Sequence, residues 1–175
     1  MYGNNTQMVT AWGKLYQKEL FDNIRYPQGL LHEDEGTTYK LYFKCDRIAV
    51  SNKVIYAYFY NSDSIMSNPK RQNFIDLCNI LDEQIKYFEQ KNEILLVDQI
   101  RNKYCIYIMA HILPLDYYGH YKEMKVKIKN IYGEIQDKKH IKKKTRTKGW
   151  LCSHLPLGMA GLLYIKHKIK TFFNK

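Results

Sequence analysis

The chain has 175 residues, 45% of them hydrophobic, which is enough to bury a core without disulfides or a structural metal. Its net charge of +11 is unevenly held: the 38 residues from Lys138 onward carry 11 of the 28 Lys/Arg and no acid, while residues 1–137 balance 17 of each sign. This excludes a uniformly basic chain and describes a neutral body with a basic tail; no stretch reaches the roughly 18–20 apolar residues of a membrane-spanning helix.

In chain order, residues 1–66 read as mixed α/β. Residues 14–23 form a short helix candidate, and Arg25-Tyr26-Pro27-Gln28-Gly29 is a turn. A second helix is predicted over 35–44, with Asp34 offered as its N-cap. Two strand-like runs follow, 47–51 and 54–60, joined by a tight Asn52-Lys53 turn. In the second run Val54, Tyr56, Tyr58 and Tyr60 fall on one face and Ile55, Ala57 and Phe59 on the other, the pattern of a strand covered on both sides.

Residues 67–137 change to a three-helix array. Asn68 and Pro69 open the first helix, with Phe74, Leu77, Cys78, Leu81, Ile85 and Phe88 at helical spacing. The second carries Val97, Ile100, Tyr104, Ile108 and Ile112 and stops at Pro114. The third carries Tyr117, Tyr121, Met124, Ile128, Ile131 and Ile135, close to a heptad seam. These stripes read as packing surfaces rather than cofactor boxes. Residues 138–150 form a basic linker, and 151–175 an apolar-then-basic amphipathic tail.

Cys45, Cys78, Cys105 and Cys152 stand far apart without a CxxC pair and read as reduced core residues of a cytosolic protein. The opening residues lack the charged and apolar regions of a signal peptide. Histidines and cysteines lack zinc spacing, so no metal ligand is assigned, and neither a Gly-rich phosphate loop nor a GxSxG elbow occurs.

Chemistry concentrates at Glu33-Asp34-Glu35, three carboxylates behind the Pro/Gly turn at a loop-to-helix junction. An aspartate there is held ionised by backbone N–H groups and the helix dipole, as a general base requires. The same residues also read simply as an N-cap and solvated first-turn acids. Around them, Trp12-Gly13-Lys14-Leu15-Tyr16 and Tyr56 to Met66, together with the Glu-Asp pair after a Pro-x-Gly turn, resemble the C-terminal half of bacterial family-two glycosyltransferases. Gly13 replaces a common Asn of that family, and Phe59 and Asn61 stand where two arginines are usual.

The resemblance implies a truncated C-terminal part of a GT-A nucleotide-diphospho-sugar transferase fold, α/β to α+β, followed by the helical array and the basic tail. It divides the chain into an acceptor-side remnant (1–66), a helical subdomain (67–137) and a tail (138–175), with Met1 internal to a longer ancestor. By position it makes Asp34 the catalytic base and Glu33 its neighbour, with His32, Trp12 and Lys14 on the acceptor side. The family's Asp-x-Asp motif, which holds the metal and hence the donor diphosphate, occurs nowhere in this sequence. Manganese or magnesium and the nucleotide-sugar donor are therefore expected only with a separate donor-binding half, without which the chain is expected to be inactive.

The implied reaction is inverting transfer of a sugar to a cell-surface polysaccharide or lipid-linked acceptor. The alternative is a non-catalytic membrane-associated or interaction module derived from such an enzyme. In the tail, Lys142, Lys143, Lys144, Arg146, Trp150, Lys166, Lys168 and Lys170 flank a leucine-rich run, a pattern suited to the anionic inner leaflet of the cell membrane. A solubilising tail is the plainer reading, and nucleic acid fits a leucine-rich run less well. The expected location is cytoplasmic, peripheral at that membrane face.

Overall fold

The computed structural model describes residues 8–54, 56–57, 59, 71–111, 121–155, 157–158, 161–162, 164–166 and 169. Its elements are helical: a short 3-10 turn at Lys18–Phe21, then α1 (Glu33–Lys44), α2 (Arg71–Gln90), α3 (Ile94–His111), α4 (Tyr121–Ile135) and α5 (Lys143–His154). No strand occurs among the described residues, so the expected α/β to α+β fold of the GT-A type is not what this chain adopts. The physical reason lies in the second strand-like run and its neighbour. Val50, Val54 and Phe59 are 78%, 93% and 86% exposed, so these positions lack the covering layer that the alternation calls for. Unpaired strands leave every backbone N–H and C=O without a ladder partner, and alternation alone does not supply one. Ile55, Tyr58 and Tyr60 lie outside the described residues, as do Asn68, Pro69, Ile112, Pro114 and Tyr117.

The chain divides into two compact units, Met1–Ile80 and Leu81–Lys175. In the first, the expected helix over 14–23 contracts to the 3-10 turn. Gly13 has a positive φ of 69°, and Gln17 remains extended at ψ 136°, leaving too few residues to propagate a helix. The Lys44 ammonium donates to the Glu19 carbonyl at 2.8 Å, tying the last turn of α1 to this segment. Gly36, Thr37, Thr38, Tyr39 and Leu41 bury the middle of α1 around most of its circumference, and Phe74, Leu77, Cys78 and Ile80 bury the first half of α2. Gly36 lies against Ile80, at ordinary van der Waals distance for an added methyl.

In the second unit, α2 ends in a tight turn to α3. Asn92 takes the left-handed conformation (φ 58°), the Glu93 N–H donates to the Phe88 carbonyl (2.9 Å) and the Asn92 N–H to the Glu89 carbonyl (3.0 Å). These are the two bonds of a Schellman cap, and asparagine tolerates its left-handed position. The core uses the predicted stripes: Leu81 and Phe88, then Val97, Ile100, Tyr104 and Ile108, then Met124, Ile128 and Ile135. Tyr132 is buried where Ile131 only packs alongside.

Residues 143–150, read as linker, are helical. The closest helix packing joins α3, α4 and α5, so the basic segment belongs to the helical unit. Tyr132, Ile135 and Ile141 cluster with Cys105. Burial pushes the Cys105 thiol up to about 12 and that of Cys152 to about 11, so both are inert core groups. Asp98 of α3 is wholly buried and faces the half-exposed His140 (Nε2 at 3.1 Å), with Arg101 at 3.7 Å and Lys138 at 4.0 Å. It thereby fastens α3 to the connection that precedes α5.

Candidate functional site at the start of helix α1

The loop before α1 turns sharply because Gly29 has φ 75°, a conformation only glycine adopts freely. His32 then caps the helix with its backbone, also left-handed at φ 63°, and the Gly36 N–H donates to its carbonyl at 3.1 Å. The helix begins at Glu33, so Asp34 is inside the first turn rather than being the cap. Its Oδ1 accepts the Glu35 N–H at 2.7 Å. Glu33, Asp34 and Glu35 thus all sit at the positive end of the helix dipole, which favours their charge.

Asp34 is half-buried, and its carboxyl is held above the usual carboxylate range. Burial is the largest cause; the bond from the Glu35 N–H opposes it, Glu33 and Glu35 add to it, and His32 opposes it. Lys14 approaches from the N-terminal segment. Burial lowers its ammonium from the ordinary value and the Asp34 charge raises it, so the two groups lie within electrostatic reach. Lys14 is oriented by the Thr10 carbonyl and hydroxyl. The structure therefore gathers Lys14, His32, Glu33 and Asp34. Trp12 instead stacks on Tyr56, with ring centroids 4.6 Å apart and 18° between planes. Tyr56 is a partner that the strand reading concealed.

The arrangement offers a carboxylate with raised proton affinity within electrostatic reach of Lys14, suited to taking a proton from a polar substrate group. Among the described residues no three His, Cys, Asp or Glu side chains converge as a metal site. His32 provides a separate test. A non-glycine residue in the left-handed region costs roughly 1–2 kcal/mol, whereas glycine there does not. His32→Gly is expected to raise stability by up to about 1 kcal/mol, read as a higher urea midpoint at unchanged slope.

Of the basic residues, Lys142, Lys143, Lys144, Arg146 and Trp150 fall at or within α5, and Lys166 is exposed beyond it. Lys168 and Lys170 lie outside the described residues. Within α5, Lys143, Arg146, Thr147 and Trp150 share one face with Tyr132 of α4 opposite. Their i, i+3, i+4, i+7 spacing is the signal that a linker reading hides.

One stretch of 58 residues is 36% identical to glycosyltransferase GlyA of Streptococcus pneumoniae serotype 4, covering 33% of this chain and 8% of that protein. The likeness supports a relationship to glycosyltransferases in general. No family model and no solved structure matches the chain. Among the described residues no helix is long and apolar enough to cross a membrane.

Proposed function

We propose that this chain is an acceptor-side part of an inverting glycosyltransferase related to family two, working with a donor-binding portion that supplies the nucleotide sugar and its divalent ion. The observation that carries the reading is Asp34, half-buried at the start of α1 with raised proton affinity and Lys14 at hand. The partial likeness to a glycosyltransferase supports it. In this scheme an acceptor hydroxyl attacks the anomeric carbon as the bond to the nucleoside diphosphate breaks, and its proton passes to the Asp34 carboxylate. Glu33 and His32 orient the acceptor or the base, and Trp12 with Tyr56 offers a flat apolar surface nearby in sequence to Lys14.

Exposed Trp150, Leu155, Leu157, Leu162 and Ile165, flanked by Lys148 and Lys166 with no acid in the run, support a second element of the proposal. This segment rests on an anionic membrane surface, where a lipid-linked saccharide acceptor would be presented.

Calorimetric titration of the chain with UDP- and dTDP-sugars and manganese is expected to give no heat, because the sequence contains no Asp-x-Asp. Sugar transfer is expected on adding the donor-binding portion. Micromolar, metal-dependent binding by this chain alone, or no transfer from the mixture, would overturn the division of labour.

A further inference from the structure

The face of α5 formed by Lys143, Arg146, Thr147 and Trp150 borders, with Tyr132, a cleft of about 360 Å³. The cleft is open to solvent, which suits a charged group held at the surface. The helices approach closely beside it because residue 149 is glycine: a Cβ there would meet the Tyr132 ring at 2.6 Å. Lys143 and Arg146 have no carboxylate within ion-pair distance among the described residues. The Arg146 Nε is buried and has no hydrogen-bond partner. Burial pushes the Tyr132 phenol above its ordinary value; Arg146 opposes that shift and Asp137 adds to it, so the guanidinium and one acid both act at this ring. The Thr147 hydroxyl already donates to the Lys143 carbonyl at 3.1 Å and leaves only an acceptor. The cleft thus carries two cationic side chains, Lys143 and Arg146, beside the neutral donors of Tyr132 and Trp150, whose rings form its walls.

We propose that this cleft binds a phosphate group, held by Arg146 and Lys143, with the carbon portion of its bearer against Tyr132 and Trp150. A planar guanidinium donates two parallel bonds to an oxyanion. A phosphate monoester offers enough oxygens and charge for both cations, which a single carboxylate does not. The inference goes beyond the sugar-transfer proposal and holds without it. Two sources share this chemistry, a free phosphate ester and the headgroup of a lipid.

The chain has two tryptophans, so Trp12→Phe leaves Trp150 as the only indole reporter. Its fluorescence is titrated with inorganic phosphate, with glycerol 3-phosphate, and with phosphatidylcholine vesicles with and without phosphatidic acid. Saturable binding is expected, weakened about tenfold or more by Arg146→Gln and by Lys143→Gln. Lys129→Gln, which removes the same charge from an exposed position on α4, is expected to change it little. Tighter binding to phosphatidic acid vesicles than to glycerol 3-phosphate assigns the lipid source, and equal binding the free ester. Circular dichroism checks that each variant is folded; two independent cleft variants keep the test decisive if one is not. Equal weakening by all three substitutions, or no saturation by any phosphate probe, overturns the site and leaves only attraction to net charge.

Discussion

Asp34→Asn is expected to lower reconstituted sugar transfer by about 10²–10⁴-fold, the usual contribution of a general base, while the melting temperature holds or rises. The two halves of this result have one cause. The folded chain binds a proton at Asp34 more tightly than the unfolded chain does, because burial penalises the ionised carboxylate. For a carboxyl raised in this way, the stability contribution is most favourable below the unfolded pKa of about 3.9 and is lost as pH rises through the folded value. At neutral pH the ionised group is therefore a cost, which the neutral amide avoids. Asparagine cannot accept the acceptor's proton, so activity falls although the fold is no weaker. Melting curves of parent and variant are expected to converge toward acid pH and to separate above it in the variant's favour. If the variant were instead less stable at neutral pH, with transfer reduced only in proportion to the unfolded fraction, Asp34 would be a structural first-turn residue.

A second large effect is expected from Gly149→Ala, although alanine is ordinarily the better helix former by about 1 kcal/mol. The new Cβ would stand 2.6 Å and 2.8 Å from two carbons of the Tyr132 ring, closer than side chains approach. Tyr132 is itself 7% exposed and packed with Cys105, Ile135 and Ile141, so its ring has little room to yield. Overpacking of this kind costs roughly 1–3 kcal/mol, enough to outweigh the helix propensity gained. Denaturant titration of Gly149→Ala, Tyr132→Ala and the double variant measures the contact directly. The double variant is expected to lose less than the two single losses combined, by about 0.5–3 kcal/mol. Strict additivity would mean that α5 does not rest on this ring. Because Tyr132 also walls the cleft, Gly149→Ala is expected to weaken phosphate binding alongside stability.

Helices α2, α3 and α4 were legible because their apolar residues recur every three or four positions over long runs, and burial follows that recurrence closely. Asp34 was legible as a chemical group, but its surroundings were not. That the Asp34 charge acts on Lys14, twenty residues earlier, is a matter of how the N-terminal segment runs past α1, and no local pattern encodes it. The strand reading failed at the described residues of 47–60 for the complementary reason. Alternation records which side chains could face a sheet, whereas a strand exists only where another strand accepts its hydrogen bonds.

Local sequence settled the helical periodicity, the acid cluster behind its Pro/Gly turn and the segregation of positive charge beyond Lys138, since each depends on neighbours within a few residues. Packing settled the helical character of the first unit, the raised proton affinity of Asp34 and the inclusion of α5 in the second unit. Burial and close approach act between groups distant in the chain: the same Lys143, Arg146 and Trp150 that read as a basic linker suited to a membrane surface become one wall of a cleft once Gly149 lets α5 settle against Tyr132.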